Sequence, residues 1–144
     1  MMRIDYEYLN NFLKLVLDNE TGDFSLSTEP FKALWPNDDE AAIDKLVFHL
    51  EILADQGCIE SALTKKEGIG FRRTGAGFII SIIPLRLTAQ GHQFASDLTK
   101  PGVIEQLKSA FSDAGPNEAV KVVFSLGKNA LDKKLKQLTE LGEE

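Results

Sequence analysis

The stretch Leu85-Arg86-Leu87-Thr88-Ala89-Gln90-Gly91-His92-Gln93-Phe94 constrains the fold more than any other. It joins the end of an apolar, strand-like run to the start of a helix. Thr88 suits an N-cap, because its hydroxyl accepts from the open N–H groups of a first helical turn. Gly91 then falls inside that turn, where glycine costs helix stability relative to alanine. Its use at that place is to let another backbone come close.

Upstream, residues 5–18 read as a helix, with Leu9, Phe12, Leu13 and Val16 at i, i+3, i+4 and i+7. Glu20-Thr21-Gly22-Asp23 is turn chemistry, and Phe24-Ser25-Leu26-Ser27 alternates as a short half-buried strand does. A brief helix follows, capped by Ser27 or Thr28, with Pro30 in its first turn and Phe31, Leu34 and Trp35 inward. Asn37 reads as the N-cap of the next helix, with Glu40 in the capping-box position. That helix runs to about Gln56, stops at Gly57, and presents Ile43, Leu46, Val47, Leu50, Leu53 and Ala54 to the core.

Two β-rich runs come next, Cys58 to Thr64 and Phe78 to Leu87, expected to pair antiparallel. Pro84 confines the second to an edge or a bulge near its end. The segment from Lys65 to Gly77 between them reads as the long loop of a hairpin, a wing. Three helical segments close the chain, at about 88–98, 101–113 and 117–141. Pro101 fits the first turn of the middle one. Val120, Val123, Phe124, Gly127, Leu131, Leu135 and Leu138 form one stripe on the last, whose phase survives Gly127, so one helix with a close contact or kink there is expected rather than two.

The resulting fold class is α+β and mostly α: helix–strand–helix–helix–strand–wing–strand, which is winged-helix topology, then a C-terminal helical lobe. Residues 1–98 form the winged-helix part and 99–144 the helical extension packed on it. Three stretches resemble an uncharacterised winged-helix-like family common in prophages and bacterial mobile elements. They are Phe48-His49-Leu50-Glu51-Ile52-Leu53-Ala54-Asp55-Gln56-Gly57-Cys58-Ile59, Arg86-Leu87-Thr88-Ala89-Gln90-Gly91-His92-Gln93-Phe94, and Val103-Ile104-Glu105-Gln106-Leu107-Lys108. The resemblance implies a cytoplasmic, mobile-element setting. It implies no established activity and supplies no catalytic residues.

Charge narrows the function classes. Residues 1–60 hold 13 acidic and 4 basic side chains, whereas 61–144 hold 9 acidic and 12 basic. Only the second part has a basic footprint of the kind nucleic acid requires. The expected recognition helix carries Asp38, Asp39, Glu40, Asp44, Glu51 and Asp55 against one cation, Lys45, which makes it a poor reader of DNA. Its side opposite the core holds Ala41, Lys45, Phe48 and Ile52. A helix apolar on two sides is covered on two sides. The cover is expected from residues 101–141 or from another chain, which makes these four a candidate protein interface. Lys65, Lys66, Phe71, Arg72 and Arg73 on the wing are the candidate nucleic-acid contacts, by phosphate pairing, groove insertion and stacking.

The remaining chemistry is sparse. Gly68, Gly70, Gly75 and Gly77 lack the Gly-Lys-Ser/Thr ending of a phosphate loop. His49, His92 and the single cysteine, Cys58, have no zinc-ligand spacing, so no metal or cofactor is expected. Cys58 reads as a buried small hydrophobe in a reducing compartment. Asp38-Asp39-Glu40 is explained by helix entry. The lysines at 128, 133, 134 and 136 read as a solvated helix face. No nucleophile, base and orienter are assembled by spacing, so the chain is not read as an enzyme. Regulatory, DNA-associated binding through the wing is the expected function. The alternative is a protein-interaction module or inhibitor acting through the acidic first half and the Phe48–Ile52 face. No apolar run approaches the roughly 20 residues that span a membrane.

Overall fold

Helix α1 (Tyr6–Leu17) starts where Asp5 accepts from the Tyr8 N–H at 3.0 Å, and it buries Tyr6, Leu9, Phe12, Leu13 and Val16. The computed structural model describes residues 2–63 and 68–142. It is an α+β fold, mostly helical, with small antiparallel sheets. After α1 come a two-residue strand, β1 (Asp23–Phe24), and a 3-10 turn at Phe31–Leu34 where the sequence suggests a brief α-helix. Trp35 is fixed there by an N–H donated to the Leu26 carbonyl at 2.8 Å.

Helix α2 (Glu40–Asp55) is capped by Asp39, not by Asn37 as its sequence suggests. The Asp39 Oδ1 accepts from the N–H groups of Ala41 and Ala42. Asn37 instead takes a φ of 52° in a 3-10 turn at Pro36–Asp38, a left-handed position that asparagine tolerates. The far end closes as the glycine predicts. Gly57 has a φ of 72°, its N–H bonds the Ala54 carbonyl, and the Cys58 N–H reaches back to Leu53. These are the two bonds of a Schellman cap.

Four more strands follow: β2 (Ile59–Ser61), β3 (Phe71–Thr74), β4 (Gly77–Ile80) and β5 (Leu85–Leu87). The expected single strand over 78–87 is two strands in two sheets. β5 lies between β1 and β2 in an antiparallel sheet of order β1-β5-β2, with Ile59 opposite Leu87. Among the described residues β4 pairs only with β3, with Arg72 opposite Ile79 and Arg73 opposite Phe78. Residues 81–84 carry the chain between the two sheets, and Pro84 has no N–H to continue a ladder. The expected open wing therefore has its own hairpin, because Gly75-Ala76 makes a two-residue turn. The Thr74 hydroxyl closes that turn by accepting from the Ala76 N–H and donating to the Gly77 carbonyl.

Helices α3 (Ala89–Leu98), α4 (Val103–Ala110) and α5 (Pro116–Gly142) complete the chain. Pro101 lies just outside α4 rather than in its first turn, because Gly102 takes the cap position with a φ of 82°. One buried cluster runs from α1, β1 and α2 through β5 and α3 into α4 and α5, where it ends at Leu107, Val120 and Val123.

Two glycines set the closest approaches. A Cβ on Gly91 would lie 2.0 Å from the Cys58 carbonyl oxygen, so the backbone proximity expected at that residue is present. Thr88 closes the same joint. Its hydroxyl accepts from the Gly91 N–H and donates to the Gly57 carbonyl, while its own N–H bonds Cys58. A Cβ on Gly127 would lie 2.3 Å from the carboxylate of Asp97, a buried acid that Gln93 and Lys100 hydrogen-bond. Gly91→Ala is expected to lower stability by about 3 kcal/mol, since backbone must move, and Gly127→Ala by about 2–3 kcal/mol, since the added Cβ would also lie 2.5 Å from the Asp97 Cβ, which no rotamer change relieves. Urea unfolding of both variants checks the two losses. Equal stability to wild type at Gly91 would show that the contact does not constrain the fold.

Candidate interaction site between the hairpin and the second helix

The hairpin has two chemically different faces, fixed by its register. Phe71, Arg73, Phe78 and Ile80 alternate onto one face, and Arg72, Thr74 and Ile79 onto the other. Phe71, Phe78 and Ile80 are half-buried against the core cluster. Phe71 and Phe78 meet edge to face at 5.7 Å, and the Arg73 guanidinium lies 5.0 Å from the Phe78 ring centre. Arg73 then reaches Glu51 of α2, with N–O at 2.6 Å. Both partners are substantially exposed, so this pair contributes about 0.2–1 kcal/mol and acts mainly to orient the hairpin.

Helix α2 therefore presents carboxylates to the hairpin. At 100° per residue, Glu40, Asp44, Glu51 and Asp55 share one stripe beside the apolar core face. Glu40 and Asp44 line a cleft of about 580 Å³ together with Trp35, Ile43 and the β4 residues Gly77 to Ile80. The Trp35 ring carries the Lys32 ammonium at 3.4 Å from its centre. One wall of the cleft is the edge of β4 that has no strand partner among the described residues. Ser81 donates to Gly70 at 2.8 Å, which puts the N–H and C=O of Phe78 and Ile80 on the side away from β3. The cleft combines an apolar floor, an acidic rim and an open strand edge.

The sequence-derived candidates divide. Lys65 and Lys66 lie outside the described residues. Arg72 is exposed on the outer hairpin face and, among the described residues, has no carboxylate partner; Arg73 is committed to Glu51, and Phe71 is turned inward. On the second face of α2, Ile52 is 7% exposed and covered within this chain, while Phe48 is half-buried beside residues 112–116 and Met2–Ile4. Ala41 is exposed, and Lys45 is paired with Asp5 at 2.9 Å and stacked 4.8 Å from the Tyr8 ring centre.

His49 was not marked by spacing as a functional residue, yet it anchors this face. It is 2% exposed; its Nε2 accepts from the Asp5 N–H at 2.9 Å, and its Nδ1 donates to the Lys45 carbonyl at 2.7 Å. Both ring nitrogens are thus engaged, which leaves none for a metal or a proton transfer. Its i, i+4 relation to Lys45 is visible in the sequence, but the partner Asp5 lies 44 residues away. Burial pushes the Cys58 thiol up to about 11 and the Tyr8 hydroxyl up to about 12, so neither is a nucleophile at neutral pH. No group of three His, Cys, Asp or Glu suited to a metal occurs among the described residues.

Comparison of the chain with protein-family models, with curated proteins and with solved structures finds no match. No helix among the described residues is long and apolar enough to cross a membrane.

Burial lowers the His49 pKa below its ordinary 6.5, against the opposing pull of the Lys45 carbonyl and Asp5. The unfolded chain therefore takes up the proton first as the pH falls. The contribution of neutral His49 is complete above about 6.5 and declines below it. Asp5 adds a second loss at lower pH: burial alone raises its pKa, but the Tyr8 amide, Lys45 and His49 together hold it below 3.8. Denaturant midpoints measured from pH 7.5 to 5 are expected to fall for wild type and to stay flatter for His49→Leu. A wild-type midpoint constant over that range would refute the neutral, buried assignment.

Proposed function

We propose that the chain is a regulatory binding protein of winged-helix build, whose working surface is the cleft between the hairpin and α2 and whose partner is a basic protein segment. The strand order β1-β5-β2, with the β3–β4 hairpin placed between β2 and β5, supports the winged-helix assignment. The observation that carries the partner class is the chemistry of the cleft. Glu40 and Asp44 rim it, Trp35, Ile43 and Ile80 give it apolar walls, and the edge of β4 offers main-chain hydrogen bonds. An open strand edge takes an extended segment by strand addition, and adjacent carboxylates select cations over phosphates.

Duplex DNA is the second reading, supported by Arg72 on the outer face of the hairpin. In that reading Arg72 is the phosphate contact among the described candidates, since Arg73 is held by Glu51 and Lys45 by Asp5. The acidic stripe of α2 opposes close approach of a duplex.

One experiment separates the two. Wild type and Glu40→Lys/Asp44→Lys are used as baits in nuclease-treated extract from the native host, and each is titrated against labelled duplex DNA at several salt concentrations. The cleft reading expects wild type to retain basic proteins that the double variant releases, with no duplex binding at physiological salt. Salt-sensitive duplex binding by wild type that Arg72→Ala weakens broadly, Lys45→Ala leaves alone and the double variant strengthens would put DNA first instead.

A further inference from the structure

The far end of α5 carries an exposed apolar stripe. Every residue from Leu131 to Glu140, about 15 Å of helix, is exposed. Leu131, Leu135 and Leu138 are 45%, 50% and 56% exposed and lie on one side at i, i+4 and i+7. The turns packed through Ala119, Val120 and Val123 nucleate α5, so this end propagates from an anchored helix and its leucines are left to meet another surface.

Charge decides what covers it. Lys128 and Lys134 flank the leucines, one on each side of the stripe at 100° per residue. Lys100 and Lys133 line the neighbouring groove of about 570 Å³ with Leu131. Two α5 ends laid face to face would bring Lys128 and Lys134 of the two copies together, which opposes self-pairing of the helix. The matching surface is apolar in the middle and acidic at the rim. The chain itself has one, the cleft between the hairpin and α2, where Glu40 and Asp44 border Trp35, Ile43 and Ile80. Exposed Ile79, on the same strand, extends that surface outward.

We infer that the end of α5 docks into the acidic cleft of a second copy of this chain, Leu131, Leu135 and Leu138 against its apolar floor and Lys128 and Lys134 against Glu40 and Asp44. The inference rests on the reading of the cleft as a docking surface and names one occupant for it. The docked helix would occupy the place proposed for an extended basic segment, so self-association and partner binding exclude each other. A basic partner would release the copies, and a high concentration of the chain would withhold the cleft.

The test is charge reversal on each side, read by light scattering after gel filtration. Wild type is expected to associate with increasing concentration above its 15.9 kDa chain mass and to dissociate as salt is raised. Glu40→Lys/Asp44→Lys alone and Lys128→Glu/Lys134→Glu alone are each expected to remain monomeric, with melting curves close to wild type. Mixing the two restores association, because the reversed cleft of one faces the reversed helix of the other. Leu135→Ser gives a charge-independent check and is expected to weaken association at least tenfold. A wild type that is monomeric at every concentration and salt overturns the inference, as does association that ignores the cleft variant or a mixture that fails to rescue. A monomeric wild type whose cleft variant still loses basic partners from extract removes the second copy but keeps the docking surface. Loss of neither removes both.

Discussion

The approach of Gly91 to the Cys58 carbonyl is the contact on which the arrangement of the other elements depends. It brings the first turn of α3 against the start of β2, with no side chain between the two backbones. Thr88 secures the joint on both sides, capping α3 and binding the last turn of α2 through Gly57, while Gln90 adds a bond to the Gln56 carbonyl. The α2–β2 connection at Gly57 and the start of α3 at Thr88, 31 residues later, thereby share one corner. The hairpin hangs from the two strands that leave this corner, so its position over α2 follows from a joint that carries no chemistry itself.

From that corner α2 divides its surface three ways. Ile43, Leu46, Val47, Leu50 and Leu53 enter the core. His49 and Ile52 are buried toward the N-terminal segment and the start of α5, where Gln56 bonds Asn117. Glu40, Asp44 and Glu51 meet the hairpin. The α2 carboxylates thus orient the hairpin, through Glu51, and rim the cleft, through Glu40 and Asp44. Ion pairs at this exposure are individually weak, so apolar packing of Phe71, Phe78 and Ile80 holds the hairpin and the charges select what may approach it.

Local chemistry in the sequence made much of this legible. Gly57 as a helix stop, Thr88 as a cap, Gly91 as a close approach and the core stripes of α1 and α2 all follow from rules that act within a few residues. What failed needed distance. Asn37 and Asp39 are both good caps, and tertiary placement of the preceding turn chose between them. The run from Phe78 to Leu87 reads as continuous because its β-branched residues cannot show that the two halves belong to different sheets; only Pro84 hinted at the break. Arg73 reads as a candidate nucleic-acid contact because nothing local ties it to Glu51, 22 residues earlier. The close contact expected at Gly127 is present, but its partner Asp97, like the Asp5 partner of buried His49, lies on a distant element and is not legible locally.

Mapping amide chemical shifts on isotope-labelled protein tests the central claim, that the cleft and not a cationic wing is the working surface. The labelled chain is titrated in low salt with an unlabelled second copy and, separately, with a short DNA duplex. The account predicts that the second copy perturbs Ile43, Asp44 and Gly77 to Ile80 together with the end of α5, and that the duplex leaves these amides unchanged. Perturbation by the duplex centred on Arg72, with a silent cleft in the presence of the second copy, would contradict it.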